Sequence, residues 1–136
     1  MPKFFAQDYK VTIGTTVLSS SIAAVTLDIT QDDIETTSFG STARTRIGGL
    51  RDATVSFDFH QDFAAGAVDA ILFPLLGSTV AVKISPTSSA VSATNPEYRF
   101  DALCTAYSPF QGSIGDLAVT TISWPVSGPV VRGTAV

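Results

Sequence analysis

Charged side chains are scarce in this sequence. Asp, Glu, Lys and Arg make up 15% of its 136 residues, well below the roughly 25% of an average globular protein. Apolar residues make up 45%, and the mean hydropathy is +0.32. A surface with so few charges predicts a subunit that is largely covered by copies of itself. A chain that stays monomeric is the less favoured alternative.

Cysteine and long apolar runs are also nearly absent. Cys104 is the single cysteine, so no disulfide can form within the chain, and we expect folding in a reducing cytoplasm. No run approaches the ~18 apolar residues of a membrane-spanning helix. The first eleven residues lack the apolar centre of a signal peptide. These absences predict a protein without a membrane segment.

Catalytic and metal-binding patterns are missing as well. His60 is the only histidine, and a Cys–His or Ser–His site would require a nucleophile and an orienting third group beside it. We interpret His60 as facing solvent or an interface, and we predict no catalytic residues and no enzyme activity. The acidic run from Asp28 to Glu35 lacks the glycine and the spacing of a calcium-binding EF-hand loop. We therefore expect neither a metal site nor a cofactor.

The net charge of −4 argues against a general nucleic-acid binder, which would carry a basic stripe. Arg44, Arg46 and Arg51 nevertheless lie close together in the sequence. They could contact phosphate. They could equally pair with carboxylates of a neighbouring subunit, and we favour carboxylates because acidic residues crowd the same stretch.

Alternation of apolar and polar residues recurs along the chain and is typical of strands. It predicts strands at residues 9–13, 23–30, 54–60, 80–84, 98–104 and 118–124. Pro125 is expected to end the last of these. Residues 62–76 instead have helical spacing, with Asp62 as N-cap and Pro74 at the end. The sequence predicts one domain over residues 1–136, mainly β, as an antiparallel sandwich or open barrel with one short helix packed on it.

One connection is much longer than a compact domain requires. Most loops contain about 4–6 residues, yet some twenty mostly polar residues separate two predicted strands between Thr30 and Leu50. This segment contains no proline, and Ile34, Phe39 and Ile47 are spaced through it. We predict an ordered long loop at about 31–49 that contacts a partner.

The order of these elements, with the motifs ETTSFGSTAR (35–44), GGLRDATVSF (48–57), YRFDA (98–102) and WPVSGP (124–129), resembles the major tail tube proteins of long-tailed bacteriophages. This fold is shared with the tubes of contractile injection systems. The resemblance implies a virion protein that is assembled in the host cytoplasm, usually as hexameric rings that stack into a tube. The lumen of such a tube carries DNA into the host cell.

The resemblance also implies roles for parts of this chain. The long loop of the family contacts the adjacent ring, which would place these residues at an inter-ring contact: Ile34, Phe39, Arg44, Arg46, Ile47 and Arg51. The segments 2–7 and 130–136 would be further inter-subunit arms. The expected partners are other copies of the chain and other tail proteins.

A water-filled pore requires a polar wall. Alternation places Thr26 and Asp28 on one side of their strand, and Ser56, Asp58 and His60 on one side of the next. We predict that these residues face the lumen. A basic wall would hold DNA through counterion release, whereas a neutral to acidic wall lets DNA pass without specific binding.

Two alternatives remain open. Tail terminators, tail-completion proteins and other head–tail ring proteins have a similar fold. A monomeric β-sandwich adhesion or carbohydrate-binding module would present a platform of exposed aromatic residues. Phe39, Phe110 and Trp124 are too dispersed in the sequence to form an obvious platform.

Overall fold

The computed structural model describes residues 9–134 of the chain. Within that range the strands are β1 (Lys10–Ile13), β2 (Thr16–Val17), β3 (Ile22–Glu35), β4 (Arg46–His60), β5 (Thr79–Ser85), β6 (Glu97–Leu103) and β7 (Val119–Gly133). The described residues form one short α-helix, α1 (Val68–Leu72), and two 3-10 turns, Ser19–Ser21 and Phe73–Leu75. The predicted mainly β fold with one short helix is confirmed.

The strands form a single antiparallel sheet in the order β2-β1-β5-β6-β7-β4-β3. The sheet curls over itself. Val25 and Leu27 of β3, at one edge, line a cavity together with Ile84 of β5 and Tyr98 of β6. The apolar side of every longer strand therefore points into one enclosed core.

The core is built from the apolar side of this curled sheet. Val55, Phe57 and Phe59 of β4 are buried, as the alternation predicts. Trp124 of β7 meets the ring of Phe57 edge-on at 5.9 Å between ring centroids. Its indole Nε1 donates a hydrogen bond of 2.9 Å to the carbonyl oxygen of Ala106. The largest side chain of the core is thus buried with its polar atom paired, as a buried indole requires.

The helix is much shorter than predicted. It starts at Val68 rather than after Asp62, and its N-cap position, Ala67, makes no side-chain hydrogen bond. Gly66 adopts a positive φ of 75°, which interrupts any helix that begins earlier. Asp62 instead accepts a hydrogen bond of 2.9 Å from the backbone N–H of Ala64. Val68 and Leu72 are the buried residues of the helix and belong to the core, so the helix packs one side against the sheet as predicted.

Strand β7 continues past Pro125, where the sequence analysis ended it. Residues 119–125 pair with β4, and residues 126–133 pair with β6. Pro125 lies where the strand changes partner, and Pro129 lies in a register shift. A missing N–H is tolerated at such positions. Residues 130–133 of the predicted C-terminal arm are therefore paired within the chain, while 135–136 and the predicted arm at 2–7 lie outside the described residues.

Nearly half of the predicted loop at 31–49 is strand. β3 and β4 stay paired up to Glu35 and Arg46, so only residues 36–45 connect them. These strand ends were predicted as loop because their residues have low strand propensity. They include Gln31, Asp32 and Asp33 and the pair Gly48-Gly49. The feature is a long β-hairpin.

Candidate functional site

The far end of this hairpin projects from the sheet. We call residues 31–51 the hairpin extension; every residue in it is exposed except Gly49, which is half-buried. At about 3.3 Å per residue, the paired part alone reaches roughly 13 Å beyond Gln31. The extension contains all six residues predicted for an inter-ring contact: Ile34, Phe39, Arg44, Arg46, Ile47 and Arg51.

The arginines of the extension find partners within it. Arg46 Nε lies 3.1 Å from Asp33 Oδ2, and Arg44 Nε lies 3.6 Å from Glu35 Oε1. Arg51 Nε donates a 3.2 Å hydrogen bond to Gln31 Oε1. The carboxylates that these arginines contact in the structure thus belong to the same hairpin. Each guanidinium carries five N–H donors, so these contacts leave donors available to a further partner.

The connection at the tip is ordered by threonines. The Thr36 N–H donates to the Thr45 carbonyl oxygen at 2.7 Å, and the two threonine hydroxyls lie 2.8 Å apart. The Thr45 N–H donates to the hydroxyl of Thr37 at 2.9 Å. These bonds hold the base of the tip in one geometry. They present Phe39 as a fully exposed ring, with a relative accessibility of 108%.

Apolar side chains cover part of the extension although no described residue packs over them. Ile34 and Ile47 are direct cross-strand partners and are 51% and 57% exposed. A Cβ added to Gly49 would lie 3.3 Å from Ile34 Cδ1 and 3.1 Å from Asp32 Cβ. Glycine at this position therefore leaves room for the Ile34 side chain beside β4. Exposed apolar residues concentrated on one projection indicate an interaction surface.

The structure brings the predicted lumen residues together on one face of the sheet. Thr26 lies opposite Ser56, and Asp28 lies opposite Thr54. Asp58 and His60 follow Ser56 at alternate positions of β4. Two β7 residues that were not predicted, Thr121 and Ser123, belong to the same face and pair with Asp58 and Ser56. We call this surface of β3, β4 and the first half of β7 the polar face.

His60 and Cys104, the pair considered for a Cys–His site, do not meet in this arrangement. His60 lies on the polar face, whereas Cys104 is buried in the core. His60 Nδ1 makes no hydrogen bond to any of the described residues. Burial raises the pKa of the Cys104 thiol, which disfavours the reactive thiolate. Residues 9–134 contain no group of three or more His, Cys, Asp or Glu side chains arranged to hold a metal ion.

A second apolar surface lies at the other end of β4. Phe63 and Phe110 stack with ring centroids 5.5 Å apart and an interplanar angle of 27°, yet they remain 54% and 84% exposed. Ile114 and Leu117 lie in the adjoining turn, which closes through a bond from the Val119 N–H to the Gln111 carbonyl oxygen. The loop patch consists of Phe63, Phe110, Ile114 and Leu117. The sequence analysis missed it because its members come from two separate loops.

A partly buried polar network holds the two loops of the patch together. Gln61 Nε2 donates to the Tyr107 hydroxyl at 3.0 Å and to the Pro109 carbonyl oxygen at 2.8 Å. The Tyr107 hydroxyl donates to Asp69 Oδ1 at 2.7 Å. Burial, with a further contribution from Asp69, raises the pKa of Tyr107. The network makes the patch a defined surface rather than two independent loops.

None of the helices in the described part of the chain has the length and apolar character needed to cross a membrane.

Comparisons with known proteins identify the fold. No protein-family model matches the chain, and no curated protein matches it in sequence. A chain in the virion of a native gene transfer agent particle matches the structure with a TM-score of 0.70 at 14% identity, covering 90% of this chain and 94% of that one. A chain in the tail of an empty gene transfer agent particle with C6 symmetry matches with a TM-score of 0.61 at 18% identity, covering 82% and 81%.

A third similar chain comes from the sheath–tube complex of an extracellular contractile injection system in its extended state. Its TM-score is 0.71 at 14% identity, and the match covers 98% of this chain and 93% of that one. Chains from a virion, a tail and a sheath–tube complex thus share most of the fold described here. The resemblance to the tail tube fold is confirmed at the level of structure.

Proposed function

We propose that this protein is a structural subunit of a phage-like tail that assembles into stacked rings around a channel. The observation that carries the proposal is the hairpin extension, which exposes apolar side chains on a fold shared with chains of tail and sheath–tube particles. The protein would have no catalytic role. Its partners would be other copies and other tail proteins, within a virion assembled in the host cytoplasm.

The accessible surface supports assembly. The chain exposes 8907 Å², whereas a compact monomer of 14.2 kDa would expose about 6,800 Å². A surface larger than that of a compact monomer is typical of a subunit that buries part of it against neighbours. The projecting hairpin contributes to this excess, and burying its apolar side chains against other copies would remove surface that a monomer leaves in water.

The polar face supports a channel. Its charged residues on β3 and β4 are Asp28, Asp52 and Asp58, and the strand register places no lysine or arginine among them. Threonine and serine occupy most other positions of this face. In the proposed ring, Thr26, Asp28, Ser56, Asp58 and His60 line the lumen. DNA would then pass along a wall that offers no cations for phosphate to bind.

The hairpin extension would contact the adjacent ring. Its apolar residues Ile34, Phe39 and Ile47 would supply the buried part of that contact. Arg44, Arg46 and Arg51, already paired within the hairpin, would form a polar rim with their remaining N–H donors.

Electron microscopy of the purified protein tests the proposal. We expect negatively stained samples to show rings or tubes, and sedimentation velocity to show a mass many times that of the 14.2 kDa chain. Rings that never stack would favour a terminator or completion protein instead. A protein that stays monomeric at high concentration would overturn the proposal.

A further inference from the structure

We propose that the hairpin extension of one copy docks on the loop patch of the next copy, so that the stacking contact is head-to-tail. This inference rests on the proposed assembly and identifies the surface that receives the hairpin. Two groups of exposed apolar side chains are relevant to this contact: the apolar residues of the extension and the loop patch.

The two surfaces cannot meet within one copy. β4 begins at Arg46 in the extension and ends at His60, directly before the loop that carries Phe63. At about 3.4 Å per residue, this strand separates the two surfaces by up to roughly 50 Å. Phe110 joins the same end because it stacks on Phe63. The surfaces lie at opposite ends of the molecule and can be joined only between copies.

Charge favours the pairing of unlike ends. The extension is neutral overall, with Arg44, Arg46 and Arg51 against Asp32, Asp33 and Glu35. The chain has no lysine or arginine at positions 61–82 or 100–131. The exposed charges beside the loop patch are Asp62 and Asp116. Two loop patches facing each other would bring like negative charges together, whereas the guanidinium N–H donors of an extension facing the loop patch find acidic residues.

Geometry favours the same pairing. Hairpin against hairpin is a two-fold contact, which closes after two copies and leaves both loop patches in water. Hairpin against loop patch is a heterologous contact. After each such contact, one hairpin and one loop patch at the two ends of the stack are still free, so further copies can be added along the axis. A stack that alternates hairpin–hairpin and patch–patch contacts would also cover both apolar surfaces, but it would bring Asp62 and Asp116 of two copies together. The head-to-tail stack covers both surfaces without that repulsion.

Site-directed cross-linking tests the docking. Phe39 and Ile114 are the most exposed members of the two surfaces, at 108% and 106%. In a Cys104→Ser background, Phe39→Cys and Ile114→Cys would be combined in one chain and treated with a short bismaleimide after assembly. We expect a ladder of covalent multimers on a denaturing gel. Each single-cysteine variant is expected to give at most a dimer.

A matched pair of cysteines controls for head-to-head contact. Ala90 is exposed and lies in the loop between β5 and β6, which leaves the sheet at the end where Glu97 pairs with Gly133, the same end as the hairpin. A head-to-head contact would join Phe39→Cys and Ala90→Cys of two copies into a covalent dimer, and we expect this pair to give no such dimer. A strong covalent dimer from this pair, with no ladder from Phe39→Cys and Ile114→Cys, would overturn the head-to-tail inference.

A substitution in the loop patch tests whether tube formation depends on docking at this patch. Phe110→Ser removes a mostly exposed ring and should raise the concentration needed for tube formation at least about tenfold, as loss of an interface hot spot does. Phe110→Leu keeps an apolar side chain and should change it much less. If the wild-type protein forms tubes and Phe110→Ser forms them equally well, docking on the patch is wrong while the proposed function stands. If the wild-type protein forms no rings or tubes, the proposed function itself fails.

Discussion

Strand β4 passes through two different environments. Between Ala53 and His60 its residues alternate between buried and partly or fully exposed positions. Between Arg46 and Asp52 every residue is exposed except Gly49. The backbone is paired with β3 along both halves. Alternation in a sequence therefore reports burial of one face, and a strand that has no core beneath it can lack that signal.

The two halves of β4 also differ in the interactions that stabilise them. The inner half is stabilised by apolar burial in the core, which contributes about 25 cal/mol per Å² removed from water. The outer half has exposed ion pairs such as Arg46–Asp33, each of which contributes at most about 1 kcal/mol. The inner half should thus determine folding, and the outer half should determine association. Three changes test this division, in order of decreasing effect on the free energy of unfolding.

The largest effect is expected in the core. Trp124→Ala removes a buried side chain that packs on Phe57 and donates a hydrogen bond to Ala106. We expect a loss of about 3–5 kcal/mol, a large part of the roughly 5–15 kcal/mol that stabilises a typical domain. Urea unfolding followed by circular dichroism measures it. Phe39→Ala, at a fully exposed ring, should change stability by less than about 0.5 kcal/mol. Similar losses in the two variants would contradict the division.

An intermediate effect is expected in the network beneath the loop patch. Tyr107→Phe removes the hydrogen bond to Asp69 and should cost about 1 kcal/mol. Because the fold raises the pKa of Tyr107, the stabilisation from the neutral phenol is complete below its unfolded pKa of about 10. It is lost as the pH rises through the higher folded value.

The pH dependence supplies the control for this variant. We expect the wild-type free energy of unfolding to fall between neutral and strongly alkaline pH, and to fall less in Tyr107→Phe. The Cys104 thiol, whose pKa is also raised, remains in both proteins and cancels in the comparison. An equal alkaline loss in the two proteins would show that the Tyr107 hydroxyl does not contribute to it.

Much of the fold could be predicted from the sequence where one side of a strand is buried. Val55, Phe57 and Phe59 alternate with polar residues because they enter the core, so that strand was predicted at nearly its observed inner bounds. The polar face followed from the same alternation. The hairpin extension did not, since Gln31, Asp32 and Asp33 pair with β4 in water, where no apolar pattern is required.

Other features depend on tertiary contacts that local patterns do not encode. A proline ends a strand where the N–H that it lacks would be needed for pairing. At Pro125 the partner of β7 changes from β4 to β6, so the missing N–H does not end the strand. The loop patch depends on Gln61 reaching the Pro109 carbonyl and the Tyr107 hydroxyl across 48 and 46 positions of sequence. The residues predicted for the contact lie together on the extension, but the pairing of Arg44 and Arg46 with their own hairpin could be found only from the strand register.

The smallest effect on stability should accompany the largest effect on assembly. Replacing residues 36–45 by Asn-Gly closes the hairpin directly between the paired residues Glu35 and Arg46, with the turn that two-residue hairpins favour. The removed residues are all exposed, so the free energy of unfolding should change by less than about 1 kcal/mol. We expect a folded protein that no longer forms tubes by electron microscopy. A second variant replaces residues 36–45 by a Gly/Ser segment of the same length and so tests whether the side chains or the length of the tip matter. We expect it to form no tubes either, because it lacks Phe39 and Arg44. Tubes from the shortened protein would show that its tip plays no part in stacking, and loss of the fold would show that the hairpin also stabilises the domain.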